Sequence, residues 1–317
     1  MAVYSPISHD ELLTFLTQYN IGELQSFGGI LEGIENTNYK ILTSTNTYIL
    51  TIFEKRVKKE DLPFFMNLKN HLANKNFLCP KPIPDNNGTI INSLKDKPCV
   101  LISFLTGSKA KVITPHHCKQ VGKNLSLLHH ETSDFTEERS NSLDYTQWKT
   151  IFEKCQTIPN HNYIQLCDII EKEFFFLKNN WPISLPQGII HADVFQDNVF
   201  FIDNQFSGLI DFYFSCKDYL AYDIALTINA WCFDEKEILN QEKLQQLLAG
   251  YESLRELKTD EKDSLSILLR GAALRILVTR LHDQLFHPPG AYVTPKDPNE
   301  YGNILTYHQH NNIKTLL

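Results

Sequence analysis

The sequence predicts an α+β protein in two lobes: a small N-terminal lobe around an antiparallel sheet, and a larger, mainly helical C-terminal lobe. Three observations carry this expectation. Strand-like runs crowd residues 24–53 and 99–107. Helical periodicity dominates beyond Gly107. One strand–turn–strand segment, at roughly 188–212, interrupts those helices. A chain of 317 residues suits one large or two ordinary domains, and the change of pattern places the division at 1–105 and 106–317.

Residues 7–19 read as a short helix, with Ser8 as N-cap and Glu11 completing a capping box. LQSFGG (24–29), TNYKILT (37–43) and TYILTIF (47–53) follow as an antiparallel meander, with a turn at STN between the last two. Residues 60–77 are helical, one face being marked by Leu62, Phe65, Leu68 or Lys69, and Leu72. Pro63 is tolerated in the first turn, where a missing N–H costs nothing. Prolines 80, 82 and 84 end that element, and CVLISFLTG (99–107) is a further strand.

Thr114-Pro115 is a cap followed by proline at the first helical position, and Cys118, Val121, Leu125 and Leu128 then repeat at helical spacing. Further helices are expected near 144–156, 161–179, 218–232, 235–256 and 259–287. A sheet lobe joined to a helical lobe with one inserted hairpin is the outline of a kinase.

The net charge of −7 argues against a surface that coats nucleic acid or acidic lipid, which is usually basic. The seven cysteines are scattered, odd in number and without a C-x-x-C pair, so neither a zinc site nor a disulfide scaffold is expected. Reduced thiols fit a cytoplasmic protein. The N-terminus has no signal-peptide pattern, and no apolar run approaches the ~18 residues of a membrane span. Oligomeric state is not legible.

The chemistry concentrates in GIIHADVFQDNVFFIDNQFSGLIDF, residues 188–212. His191-x-Asp193 is followed by Asn198, then by two apolar strands, the second of which delivers Asp211. Phosphoryl transfer is mainly positioning and charge neutralisation. One carboxylate must orient the acceptor hydroxyl and take its proton, and two oxygen ligands must hold magnesium against the ATP phosphates. H-x-D-x-x-x-x-N followed by Asp supplies all three. Asp193 is the expected base, Asn198 and Asp211 the expected metal ligands, and the hairpin should make the last two neighbours. His191 is expected to brace the loop. The bland alternative is a hairpin with solvated acids at its ends.

Protein kinases carry H-R-D, D-F-G and a later A-P-E. Here the chain has H-A-D, then Asp211-Phe212-Tyr213, and no A-P-E. This departure resembles the aminoglycoside phosphotransferase and choline kinase superfamily. ENTNYKI (35–41), TYILTIFE (47–54), EDLPFF (60–65), DYLAYDIALTINAWCF (218–233), ALRILVTRLHD (273–283) and VTPKDPNEY (293–301) resemble its homoserine kinase branch, so the similarity spans nearly the whole chain. The resemblance implies a kinase-like fold, ATP as co-substrate with Mg2+, and phosphorylation of L-homoserine on the way to threonine. Choline, an aminoglycoside or methylthioribose are alternative acceptors. A catalytically inactive nucleotide-binding relative is a third possibility, against which the intact Asp193, Asn198 and Asp211 argue.

The remaining features divide between function and packing. Gly28, Gly29 and Gly33 could bring backbone N–H groups to phosphates, or simply shape a hairpin. The usual third-strand lysine is replaced by Thr51, which leaves the phosphate cation unassigned. Glu60 could be the usual helix carboxylate, or an acid favouring a helix N-terminus. His116-His117 and His129-His130 point about 100° apart on a helix and are expected at the surface rather than on a metal. Asp223 is expected to brace the catalytic loop. Trp231 and Phe233 could line the acceptor pocket or pack in the core. Homoserine is a zwitterion, and arginine pairs two carboxylate oxygens at once. Arg275, Arg280 and Asp283 share a predicted helix, and Arg280 and Asp283 project from one side, as an acceptor site or as a surface ion pair.

Overall fold

The computed structural model describes residues 4–30, 36–54, 57–158, 161–287 and 294–313. They form two compact units. The first holds the chain up to Thr106 together with Gly208–Tyr213; the second holds Gly107–Ser207 and the described residues from Phe214 onward. The observed boundary thus falls one residue beyond the expected one, and the expected division omits 208–213.

In the first unit, helix α1 (His9–Leu16) starts at the expected capping box. The Glu11 N–H donates to Ser8 Oγ at 3.3 Å, and the Ser8 N–H to Glu11 Oε2 at 2.8 Å. Strands β1 (Leu24–Gly29), β2 (Thr37–Thr43) and β3 (Thr47–Ile52) form the expected meander. Three more strands complete the sheet: β4 (Pro82–Ile83), β5 (Ile91–Leu94) and β6 (Lys97–Ser103). The order is β1-β2-β3-β6-β4, with β5 also on β6. Side chains alternate across a strand. Tyr39, Ile41, Tyr48, Leu50, Ile52, Cys99 and Leu101 therefore share one buried cluster with Leu12, Phe15 and Leu16 of α1. The opposite face carries Ser26, Gly28, Asn38, Lys40 and Thr51. Strand β5 is polar at Asn92 and Ser93, which hid it; its hairpin turns through Lys95 and Asp96, both left-handed (φ 57° and 58°). Helix α2 (Leu62–Asn74) carries Pro63 in its first turn.

Residues 208–213 belong to this unit through backbone contact. The Leu209 N–H donates to the Leu78 carbonyl at 3.0 Å. At Gly208, φ is 156° and a Cβ would lie 2.4 Å from the Leu105 side chain. Only glycine admits so close an approach.

The second unit is built on helices α3 (Pro115–Glu131), α4 (Tyr145–Gln156), α5 (Ile164–Asn180), α6 (Leu220–Trp231), α7 (Gln241–Glu252), α8 (Thr259–Leu285) and α9 (Pro298–His310). Helices α3 and α7 touch backbone to backbone. A Cβ on Gly122 would lie 2.0 Å from the Leu247 carbonyl oxygen, and one on Gly250 equally close to that of Lys119. Strands β7 (Gln187–Ile190) and β10 (Cys216–Tyr219) pair antiparallel, and β8 (Val199–Ile202) and β9 (Gln205–Leu209) form the expected hairpin, β9 ending in the first unit.

Two expectations are corrected, and one helix is added. The helix expected from 218 begins at Leu220, because Cys216–Tyr219 is drawn into a ladder with β7. The helix expected from 235 begins at Gln241: the Asp234 carboxylate accepts the N–H groups of Lys236 and Ile238, both at 2.9 Å, and holds a turn, after which Asn240 caps α7. Helix α9 was not anticipated, although Asp297-Pro298 is a cap with proline in the first turn. Among the described residues no helix is long and apolar enough to cross a membrane.

Candidate active site

In the second unit, β7 ends at Ile190 and the next eight residues form a loop held from several sides. His191 is fully buried. Ala192 is left-handed, with φ 63°, a conformation that costs a residue with a Cβ roughly 1–2 kcal/mol. The Asp223 carboxylate offsets this by accepting the His191 N–H at 2.8 Å and the Ala192 N–H at 2.9 Å. Asp223 is itself wholly buried; burial opposes its charge, but His129 and His191 outweigh it and its carboxyl sits below the ordinary range. His129 faces Asp223 at 3.1 Å and the Tyr251 hydroxyl at 2.8 Å.

Asp193, half-buried, follows this clamp. Asn198 donates its amide to the Asp193 carbonyl and to Asp193 Oδ2, each at 2.9 Å. That turns the Asn198 Oδ1 away from the carboxylate and suits it to a hard cation. The Trp231 indole donates to the Val194 carbonyl at 2.7 Å, and Gln196 to the Ala230 carbonyl at 2.9 Å. Asp197, exposed, lies between Lys296 (3.1 Å) and Lys109 (3.5 Å). The Tyr301 ring approaches Phe195, with centroids 6.4 Å apart, and feels the charge of Asp193.

In the first unit, Asp211 is exposed and left-handed, with φ 65°. Beside it runs a buried polar row. Lys69, 3 % exposed, donates to the Tyr213 hydroxyl at 3.4 Å, the phenol also meets Thr51, and Thr51 donates to Asn38 Oδ1 at 2.7 Å. Burial pushes the Lys69 ammonium down to about 8, against the opposing influence of Cys79 and Asp211. The expected place of the third-strand lysine is therefore a hydroxyl inside a hydrogen-bonded row. Gly28 and Gly29 line an open pocket of about 540 Å3 together with Lys40, which also lies 4.5 Å over the Phe104 ring. A Cβ on Gly28 would meet nothing within 4 Å, so packing does not require glycine there. Gly33 lies outside the described residues. Glu60 is exposed in the short 3-10 turn Lys59–Asp61 that precedes α2.

The other candidates are placed as follows. Trp231 is wholly buried and Arg275 is 2 % exposed, and both donate to carbonyls of the loop, Trp231 to that of Val194 and Arg275 to that of Ala192. Arg280 pairs with Glu300 and donates to the Asp297 carbonyl at 3.2 Å, while Asp283, half-exposed, faces His282. His117 and His129 are buried, not at the surface: His117 closes the α3 capping box, and His129 is spent on Asp223. No group of three or more His, Cys, Asp or Glu suited to a metal occurs among the described residues.

The model of the phosphotransferase enzyme family matches residues 27–257, a span that includes the loop 191–198 and Asp211. The chain belongs to this family. Curated relatives of this phosphotransferase include the homoserine kinases of Sinorhizobium medicae, 45% identical over 98% of this chain and 95% of theirs, and of Agrobacterium fabrum, 46% identical over 98% and 96%. Its fold is shared by a spectinomycin phosphotransferase solved with ADP and spectinomycin, at TM-score 0.69 and 15% identity over 98% of each chain. The choline kinase of Cryptosporidium parvum is also similar, at TM-score 0.65 and 15% identity over 95% of this chain and 94% of that one. The phosphotransferase is therefore an α+β protein of the kinase-like class.

Proposed function

We propose that this phosphotransferase transfers the γ-phosphoryl group of ATP to the side-chain hydroxyl of L-homoserine, giving O-phospho-L-homoserine for threonine synthesis. The observation that carries the transfer is the Asp193–Asn198 pair on its clamped loop. The observation that selects the acceptor is the full-length similarity to homoserine kinases.

Asp193 orients the hydroxyl and takes its proton as the oxygen attacks phosphorus. A carboxylate held by an amide N–H keeps its direction without losing its charge. Asn198 and Asp211 offer amide and carboxylate oxygens, the donor set of a hard divalent cation, and we assign them to Mg2+. When bound, Mg2+ neutralises charge on the transferring phosphates. Gly28 and Gly29, with Lys40 on the same pocket, support nucleotide binding in the first unit; Thr51 and Glu60 remain candidates beside them. Arg280, 9 % exposed and paired with Glu300, is the candidate for the homoserine carboxylate, with Asp283 as the candidate for its ammonium. The seven free cysteines support a cytoplasmic setting, where thiols stay reduced. ADP release from ATP and Mg2+ on adding L-homoserine tests this reading; nucleotide binding without turnover on any acceptor would favour the inactive relative.

A further inference from the structure

The carbonyl of Ala192 points away from Asp223 and meets a second buried charge. Arg275, from the middle of α8, donates Nη1–H to it at 2.8 Å. The Ala192 peptide is thus held at both poles, its N–H by Asp223 and its carbonyl by Arg275. This is the residue with the unfavourable φ, directly before Asp193. Arg275 spends little elsewhere. Its guanidinium lies 5.6 Å from the Phe214 ring centroid, and its Nε has no hydrogen-bond partner. Such a buried charge is costly unless its one strong bond matters. The Asp218 carboxylate balances it electrostatically, and the Tyr222 hydroxyl lies beside it.

From this geometry we infer that Arg275 is a positioning residue for the transfer: it locks the left-handed Ala192 peptide and so fixes the direction of Asp193. The inference rests on the assignment of Asp193 as base. At 2 % exposure Arg275 offers almost no surface to an acceptor or a nucleotide. Its loss acts on turnover and spares binding, because a carboxylate displaced by about 1 Å can cost about 10²-fold in rate.

The test uses the full chain and steady-state kinetics with ATP, Mg2+ and L-homoserine, corrected for folded fraction by thermal melting. R275M removes the cation that Asp218 feels and risks unfolding, so R275K is measured beside it. R275K keeps the charge and a single donor. We expect kcat to fall about tenfold to 10²-fold in R275K, with both KM values within about twofold. Glycine holds a positive φ without the penalty alanine carries. R275K/A192G should therefore recover about fivefold or more of the lost kcat. Unchanged kcat in R275K, a rise confined to the homoserine KM, or a loss explained by folded fraction and not recovered by A192G would each overturn the inference. D193N run in parallel separates the two claims: an active D193N removes Asp193 from its role, whereas an inactive D193N with normal R275K removes only Arg275.

Discussion

Asn198 holds Asp193 twice, through its carbonyl and through carboxylate Oδ2, with both bonds at 2.9 Å. One amide thus fixes the backbone and the side chain of the expected base together. Asp193→Asn keeps an oxygen for this bond, so the fold and ATP binding should persist. Turnover should drop by at least about 10²-fold, as for loss of a general base. Near-normal kcat in this variant would remove Asp193 from the mechanism.

Asp211→Asn exchanges a charged ligand for a neutral one, and a hard cation binds the amide less well. The Mg2+ concentration for half-maximal rate should rise about tenfold or more. Asn198→Ala should shift it too, and should also lower kcat at saturating Mg2+, because it frees Asp193. Mg2+ titrations of both variants that overlay wild type would show that neither residue holds the metal.

Arg280→Ala should raise the homoserine KM about tenfold or more and leave the ATP KM within about twofold, since a guanidinium–carboxylate pair is a strong charge-assisted contact. Glu300→Gln, which removes the partner seen here, should not raise the homoserine KM. If R280A changes only the melting temperature, Arg280 serves the packing of α9 alone.

Lys69→Met should stabilise the protein. Burial depresses the Lys69 pKa from 10.5 to about 8. Below pH 8 the folded state therefore carries a desolvated charge that the unfolded chain solvates freely. The penalty is on the order of 3 kcal/mol, and it is relieved as pH rises from 8 towards 10.5, where the unfolded state binds more protons than the folded one. Methionine fills a similar volume without the charge. The gain over wild type should be largest near pH 7 and should shrink by pH 10 in denaturant titrations. A K69M variant less stable than wild type at pH 7 would contradict this.

The fold was legible where one local signal decided an element. Ser8 and Glu11 announce α1, Thr114-Pro115 announces α3, and β1 to β3 follow their alternation. It was illegible where a long-range partner decided: β10 is a strand because β7 lies beside it, and 208–213 joins the first unit because Leu78 and Leu105 meet Gly208. The candidate site divides in the same way. Asp193, Asn198 and Asp211 stand out because their spacing is local to one loop and hairpin. The burial of Arg275 is not legible, because sequence shows the charge and not its surroundings. Lys69 sits on the apolar face of α2, the one hint that its ammonium is enclosed. His129 follows Leu128 on α3 and gave no sign that Asp223, 94 residues on, would claim it.

The central claim is that this phosphotransferase acts on homoserine. A single reaction containing ATP, Mg2+ and equal L-homoserine, choline and kanamycin, read by 31P NMR, tests it most directly. Arg280, in its proposed role at the homoserine carboxylate, would favour the zwitterion, whereas a cationic acceptor calls for acids and aromatics. O-phospho-L-homoserine should account for nearly all phosphate transferred. Phosphocholine or a phosphorylated aminoglycoside as the main product, with homoserine untouched, would contradict the claim.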